Sequence, residues 1–251
     1  MTMKRYMPRL VDDVLEFKLK SSGAVWIRGP KWCGKSTTAE QFAKTVIRMQ
    51  DEDVRNQNIA LAKMSPSEFL KGDAPLLIDE WQVIPFIWNQ IRTEVDRRDE
   101  FGQFLLTGSK QPEDVEDADK HSGTGRITTL LMRPMSLYES GESNGTVSLE
   151  SMFKGEGRPG RCNTSLRDYA FYTARGGWPK AIGQDEEIAL ELAASYVAGL
   201  IDSDMSLEDD VKRNPDRVRL LLRSYSRNCS TQANNSTIRN NMIANDSESL
   251  D

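Results

Sequence analysis

Apolar positions along the chain fall into two rhythms. Leu10, Val14, Leu15 and the Phe17–Leu19 stretch lie near one helical face, so residues 4–20 predict a short amphipathic helix running into Ser21-Ser22-Gly23. AVWIRG at 24–29 is instead a short, continuous, β-prone run and predicts a buried strand. Ala39, Phe42, Ala43, Val46 and Ile47 return to three- and four-residue spacing, which predicts a helix over 34–49. NIALAK at 58–63 reads as a second strand and PLLID at 75–79 as a third, the latter bounded by Gly72 and Pro75. Trp88, Ile91 and Val95 are in phase for a helix over 84–98, and GQFLLTGS at 102–109 predicts a fourth strand. A polar, acidic loop follows at 110–125, then a fifth strand, RITTLLM, at 126–132, which Pro134 limits.

Strands alternating with helices at this spacing predict a three-layer α/β domain built on a parallel sheet. After about residue 145 the rhythm changes. The stretch 154–162 is polar and Gly-rich, and the remainder reads as helices at 166–175, 186–202 and 215–228. The expected organisation is a core at 1–145, a helical segment at 146–229 and a polar tail at 230–251. No internal repeat is visible.

Composition narrows this picture only a little. Among 251 residues, 38% are hydrophobic and 28% charged, as in an ordinary folded protein. The net charge of −5 gives no global basic footprint, so any nucleic-acid contact would need a local patch. No apolar run is long enough for a membrane span, and no apolar stretch follows the basic N-terminus as a signal peptide requires. Cys33, Cys162 and Cys229 are odd in number and lack metal-ligand spacing, which suits reduced thiols and a cytoplasmic protein. The single histidine, His121, sits in a polar loop and argues against a Ser-His-Asp triad.

The chemistry begins at Gly29-Pro30-Lys31-Trp32-Cys33-Gly34-Lys35-Ser36, followed by Thr37. This is a full G-x-x-x-x-G-K-[ST] match with a strand before it and a helix after it. Gly29 and Gly34 let the backbone turn its N–H groups inward onto phosphate oxygens. Lys35 supplies a point charge for the β- and γ-phosphates, and the Ser36 hydroxyl a ligand for Mg²⁺. The positive end of the following helix faces the same anion. ATP and Mg²⁺ are therefore the expected ligands.

Such a cradle needs a carboxylate at the end of an apolar strand to hold the shell of the metal. Leu76-Leu77-Ile78-Asp79-Glu80 provides one: Asp79 as the metal-side acid, and Glu80 beside it as a general base for an attacking water. The strand 102–109 would lie between the cradle strand and the acidic strand, bringing Thr107 and Ser109 to the γ-phosphate as a sensor. The same residues also suit the start of a simple turn. Arg126, directly after SGTG, and Arg133 flank the fifth strand. Arg126 reads either as an arginine finger that the SGTG loop could carry to a γ-phosphate, of its own chain or of a neighbouring subunit, or as a surface residue. Trp32 fits both stacking near the nucleotide and packing on the loop. Cys33 fits both an oxidation-sensitive thiol and a small packing residue. The basic set Lys212, Arg213, Arg217, Arg219, Arg223 and Arg227 could track a phosphate backbone, or form the solvated face of a helix packed through Val218, Leu221, Leu222 and Tyr225.

Taken in order, YMPRLVDDVLE, GPKWCGKS, LLIDEWQ, FLLTGS, SGTGRI, MRPMSLYESGES and ARGGWPKAI resemble the bacterial and archaeal AAA-type ATPases that carry a C-terminal domain of unknown function. The resemblance implies an AAA+-like core of the additional-strand class and ATP hydrolysis. It also implies a helical segment and a winged-helix-type region, expected to be incomplete here because the family pattern runs past the last residue. DNA is a partner this region could take. In that superfamily a base at the position of Glu80 marks hydrolases more than nucleotide kinases or GTPases. The leading expectation is thus an ATPase coupled to conformational change in itself or a partner. A slow, nucleotide-gated regulatory or DNA-binding switch is the alternative, and a small-molecule or nucleotide kinase a third reading.

Overall fold

A computed structural model describes residues 6–108, 123–204 and 214–244. Within it the chain divides between Gln184 and Asp185 into two compact units.

The first unit begins with helix α1 (Val11–Leu19), strand β1 (Ala24–Arg28) and helix α2 (Lys35–Phe42). Strand β2 (Thr45–Arg48), helix α3 (Glu52–Met64) and the short helix α4 (Pro66–Phe69) follow. Strand β3 (Leu76–Asp79), a single 3₁₀ turn (Trp81–Val83) and helix α5 (Ile87–Arg98) lead to strands β4 (Phe104–Gly108) and β5 (Ile127–Leu131). Helices α6 (Leu149–Phe153) and α7 (Leu166–Arg175) complete this unit.

The five strands form one sheet in the order β2-β3-β4-β1-β5, and every neighbouring pair is parallel. Strand alternation sends side chains to two separate cores. Trp26, Leu76, Ile78, Phe104 and Leu106 meet α3, α4 and α5 on one face. Val25, Ile27, Leu77 and Leu105 meet Leu15 of α1 and Ala39 of α2 on the other. Burial on both faces explains why these strands read as continuous apolar runs.

Two sequence expectations are corrected in kind and two in their starting residue. The helix expected over 34–49 stops at Phe42, and Thr45–Arg48 is an edge strand. Val46 and Ile47 fit a helical phase with Ala39 and Phe42, but pairing with Leu77 and Ile78 offers Thr45, Val46 and Ile47 a pleated surface suited to β-branched residues. The strand expected at 58–63 lies inside α3. Asp51 caps that helix by accepting from the Asp53 N–H at 3.2 Å, and Ala60, Leu61, Ala62 and Lys63 are good helix formers. The helix expected over 4–20 begins only at Val11, after Pro8, and the one expected over 84–98 begins at Ile87, after Pro85.

Residues after 145 also join the first unit. The Met135 N–H donates to the Gly177 carbonyl at 2.7 Å, Arg175 pairs with Glu142 at 2.6 Å, and Trp178 packs on the α1–α2 core. The second unit is helical: α8 (Glu186–Gly199) running into a π turn (Leu200–Asp204), then α9 (Pro215–Arg227) and α10 (Asn235–Ala244). Inside it, the buried Ser224 hydroxyl of α9 donates to the Ile238 carbonyl of α10 at 3.0 Å. Helix α10 lies within the stretch expected as a polar tail.

Candidate nucleotide site

In a parallel sheet all strands present their C-terminal ends at one edge, and the predicted site gathers there. Arg28, the last residue of β1, is level with Gly108 of β4, and Thr107 is level with Asp79 of β3. The loop Gly29–Gly34 leaves β1 and enters α2 through Gly34, whose φ of 103° is a left-handed conformation that suits glycine. Gly29 passes so close to the Met132 carbonyl that a methyl group there would overlap it. The tip residue Trp32 also has a positive φ, 66°, and Lys31 stands beside it.

Lys35 is 6% exposed, and its ammonium donates to the carbonyls of Gly29 at 2.9 Å and Pro30 at 3.0 Å. The cation is therefore held within the curl of the loop. Ser36, one residue on, donates its hydroxyl to Asp79 Oδ1 at 2.6 Å. The same oxygen accepts the hydroxyl of Thr107, which is fully buried. The Glu80 N–H then donates to Thr107 Oγ1 at 3.2 Å. Three elements are thus tied together at one carboxylate.

Glu80 leaves the strand with φ 63° and ψ 54°, which turns its side chain out of the strand register. Gln82 donates its amide to Glu80 Oε2. Burial pushes the Glu80 carboxyl above the usual range, against the Gln82 amide and the Lys35 ammonium, while the Asp79 charge adds to the rise.

Cys33 is fully buried, with Sγ 3.8 Å from the Met132 carbonyl. Burial pushes its thiol up, away from the reactive thiolate, so the packing reading fits. Trp32 is 44% exposed and carries Lys180 over its ring at 5.8 Å. Thr37 borders a cavity described below.

The arginines separate. The Arg126 carbonyl accepts from the Ala24 N–H at 3.0 Å, which places it at the start of β5, and β5 is parallel to β1. It therefore lies at the opposite edge of the sheet from Gly29–Gly34, where its guanidinium bonds Asp96 at 2.9 Å. Reach to the cradle of its own chain is corrected on that ground. Arg133 lies past the other end of β5, on the cradle side, and is exposed. Ser109, His121, Lys212 and Arg213 lie outside the described residues. Arg217, Arg219, Arg223 and Arg227 are all exposed, and Arg219 pairs with Asp216 at 2.9 Å.

Sequence reasoning missed a second part of this region. A cavity of about 170 Å³ opens beside the start of α2, lined by Tyr6, Met7, Arg9, Gly34, Thr37, Thr38, Met135, Pro179 and Lys180. Among these Arg9 is held at three points: Nη1 donates to the Cys33 carbonyl at 2.8 Å, Nη2 to the Arg133 carbonyl at 2.8 Å, and Nε to Glu139 at 3.0 Å. Tyr6 bonds Asp12 at 2.7 Å and Thr38 at 3.1 Å, and burial pushes its phenol up to about 12. These residues come from distant stretches of chain that no periodicity connects. YMPRL and GGWPK carried the family resemblance, and that was the available signal.

Residues 21–141 match the model of an AAA domain, and residues 166–249 match a domain of unknown function. Residues 21–141 are thus similar to the AAA domain of P-loop ATPases, followed by a domain of unknown function. The first match spans the cradle, the acidic strand and all of β5, and the second spans α7 to α10. No curated protein matches the sequence. Among solved structures, the chain is similar to a signal transduction ATPase with numerous domains and a tetratricopeptide repeat sensor from Pyrococcus horikoshii. The identity is 12% and the TM-score 0.43, over 96% of this chain and 40% of that one. This chain thus spans less than half the length of that protein. No helix among the described residues is long and apolar enough to cross a membrane.

Proposed function

We propose that this AAA-domain protein binds Mg²⁺·ATP at Gly29–Thr37 and hydrolyses it, with Glu80 as general base. The observation that carries the reading is the convergence on Asp79 of Ser36 from the cradle and Thr107 from the intervening strand, with Glu80 as the next residue. The residues fit the ligand. Curled N–H groups, a buried ammonium and a helix N-terminus suit phosphates, and a hydroxyl paired with a carboxylate suits a hard cation. Ser36 and Asp79 would hold Mg²⁺, which when bound neutralises charge developing on the phosphate oxygens.

The chain's own groups do the rest. Lys35 would leave its loop carbonyls for the β- and γ-phosphates. Glu80 would take the proton of a water, a task that a carboxyl raised by burial suits better than an ordinary one. Thr107 holds Asp79 and the Glu80 backbone in one arrangement, and Ser109 is proposed to act beside it. The cavity next to α2 is mostly apolar and adjoins the cradle, which supports seating of the nucleoside there.

The position of β4 between β1 and β3 supports the additional-strand class, and hydrolysis rather than transfer. Arg126 could serve as a finger only on the nucleotide of another copy, so that role requires self-association. Coupling to a partner or to the helical unit, whose α9–α10 pair would form part of a winged-helix-type region, belongs to the same proposal.

Phosphate release from Mg²⁺·ATP, measured with and without an acceptor nucleotide, tests the reading. Release to water that Lys35→Ala abolishes together with ATP binding is the expected result. Transfer to the acceptor would instead establish a kinase.

A further inference from the structure

Glu80 is held at both ends. Its N–H donates to Thr107 at the end of β4, and its carboxylate accepts from Gln82, two residues on. The turn makes this return possible: the left-handed Glu80 starts a 3₁₀ turn in which the Val83 N–H donates to the Glu80 carbonyl at 3.1 Å. Between the two polar residues Trp81 is fully buried. Its ring packs against Trp88 at 5.0 Å and edge-on against Trp26 at 6.3 Å. The base of the turn is anchored in the core, so the backbone that carries Gln82 cannot move away without moving an aromatic cluster.

The other end of the Gln82 amide shows what the residue is for. Its Oε1 is buried and has no hydrogen-bond partner. It lies against Gly108, where any side chain would overlap it. An unbranched apolar residue would fill this space without burying an unpartnered oxygen. A glutamine is favoured only by what its N–H does, and that group is spent on Glu80.

We propose that Gln82 is the positioning residue for the general base: it fixes Glu80 Oε2 and leaves Oε1 as the oxygen that accepts the proton of water. Gly108, the last residue of β4, makes the arrangement possible by vacating the space the amide occupies. This rests on Glu80 being the base.

The test is a double-mutant cycle on the full chain with Mg²⁺·ATP. A reacting group displaced by about 1 Å can lose on the order of 100-fold in rate, so Gln82→Met should lower kcat by roughly ten- to a hundred-fold with ATP affinity unchanged. In a Glu80→Gln background the same substitution should leave the residual rate unchanged, because its target is gone. Gln82→Glu keeps the volume, removes the donor and should lower kcat in the same way should the methionine variant fold poorly. Wild-type kcat in Gln82→Met, or an equal loss in both backgrounds, would overturn the assignment while leaving Glu80 in place. Full turnover in Glu80→Gln alone would instead remove the base, and this inference with it.

Discussion

Arg9→Met removes a guanidinium that is nearly enclosed: the side chains of Arg9 and Glu139 are 4% and 6% exposed. Three acceptors lose their donor at once, namely Glu139, the Cys33 carbonyl within the cradle loop and the Arg133 carbonyl beyond β5. Breaking a buried pair from one side costs about 3–5 kcal/mol. Glu139 keeps the N–H groups of Leu10 at 2.8 Å and Ser136 at 2.7 Å, and the Ser136 hydroxyl at 2.9 Å. These remaining donors set the expectation at the low end, about 3 kcal/mol. All five tryptophans, Trp26, Trp32, Trp81, Trp88 and Trp178, lie in the first unit, so their fluorescence in urea reports that unit alone. With a slope of about 2 kcal/mol per molar, the midpoint should fall by roughly 1.5 M. Adding Glu139→Gln should recover part of the loss, because the stranded charge is then removed. A midpoint change below about 0.3 M would refute the view that Arg9 ties the cradle to the chain after β5.

Two further predictions concern the frame of the site. Hydrogen bonds from Arg97 first, and then from Arg98, outweigh burial and hold the Glu94 carboxyl down at about 2. A depressed carboxylate contributes stability above its unfolded pKa, so that contribution should be lost as pH falls from about 5 toward 2. Arg97 is 69% exposed, so its share is screened and the expected total is on the order of 2 kcal/mol. Urea midpoints against pH should show a shallower acid decline in Glu94→Gln than in the natural chain. Gly29→Ala should cost about 1–3 kcal/mol and weaken ATP binding, since the added methyl meets a backbone carbonyl that cannot rotate away. Unchanged ATP affinity in a calorimetric titration would contradict that close approach.

Local chemistry was the legible part of this protein. Gly29–Ser36 and Asp79-Glu80 stand out because a phosphate cradle needs fixed residue types at fixed spacing, and Ala24–Ile27, Leu76–Ile78 and Phe104–Gly108 read as continuous runs because they are buried on both faces. Strand β2 was not legible. Val46 and Ile47 satisfy a helical period as well as a strand, and only the open edge beside Leu77 and Ile78 decides between them. NIALAK carries strand-like apolar positions, but the Asp51 cap and the formers around Ala60–Lys63 win. Arg126 was read by its nearness to a glycine loop in sequence, whereas strand direction sets which edge of the sheet a residue occupies. The cavity of Tyr6, Arg9, Met135 and Pro179 has no periodic signature, because folding alone brings those stretches together.

The role proposed for Glu80 is to perform the chemistry of a site that other residues assemble. It is tested most directly by measuring ATP affinity and phosphate release on the same samples of the natural chain and Glu80→Gln. ATP affinity should agree within about twofold, and the release rate of Glu80→Gln should be lower by at least about 100-fold, the scale of a lost general base. Equal release rates in the two proteins would contradict it.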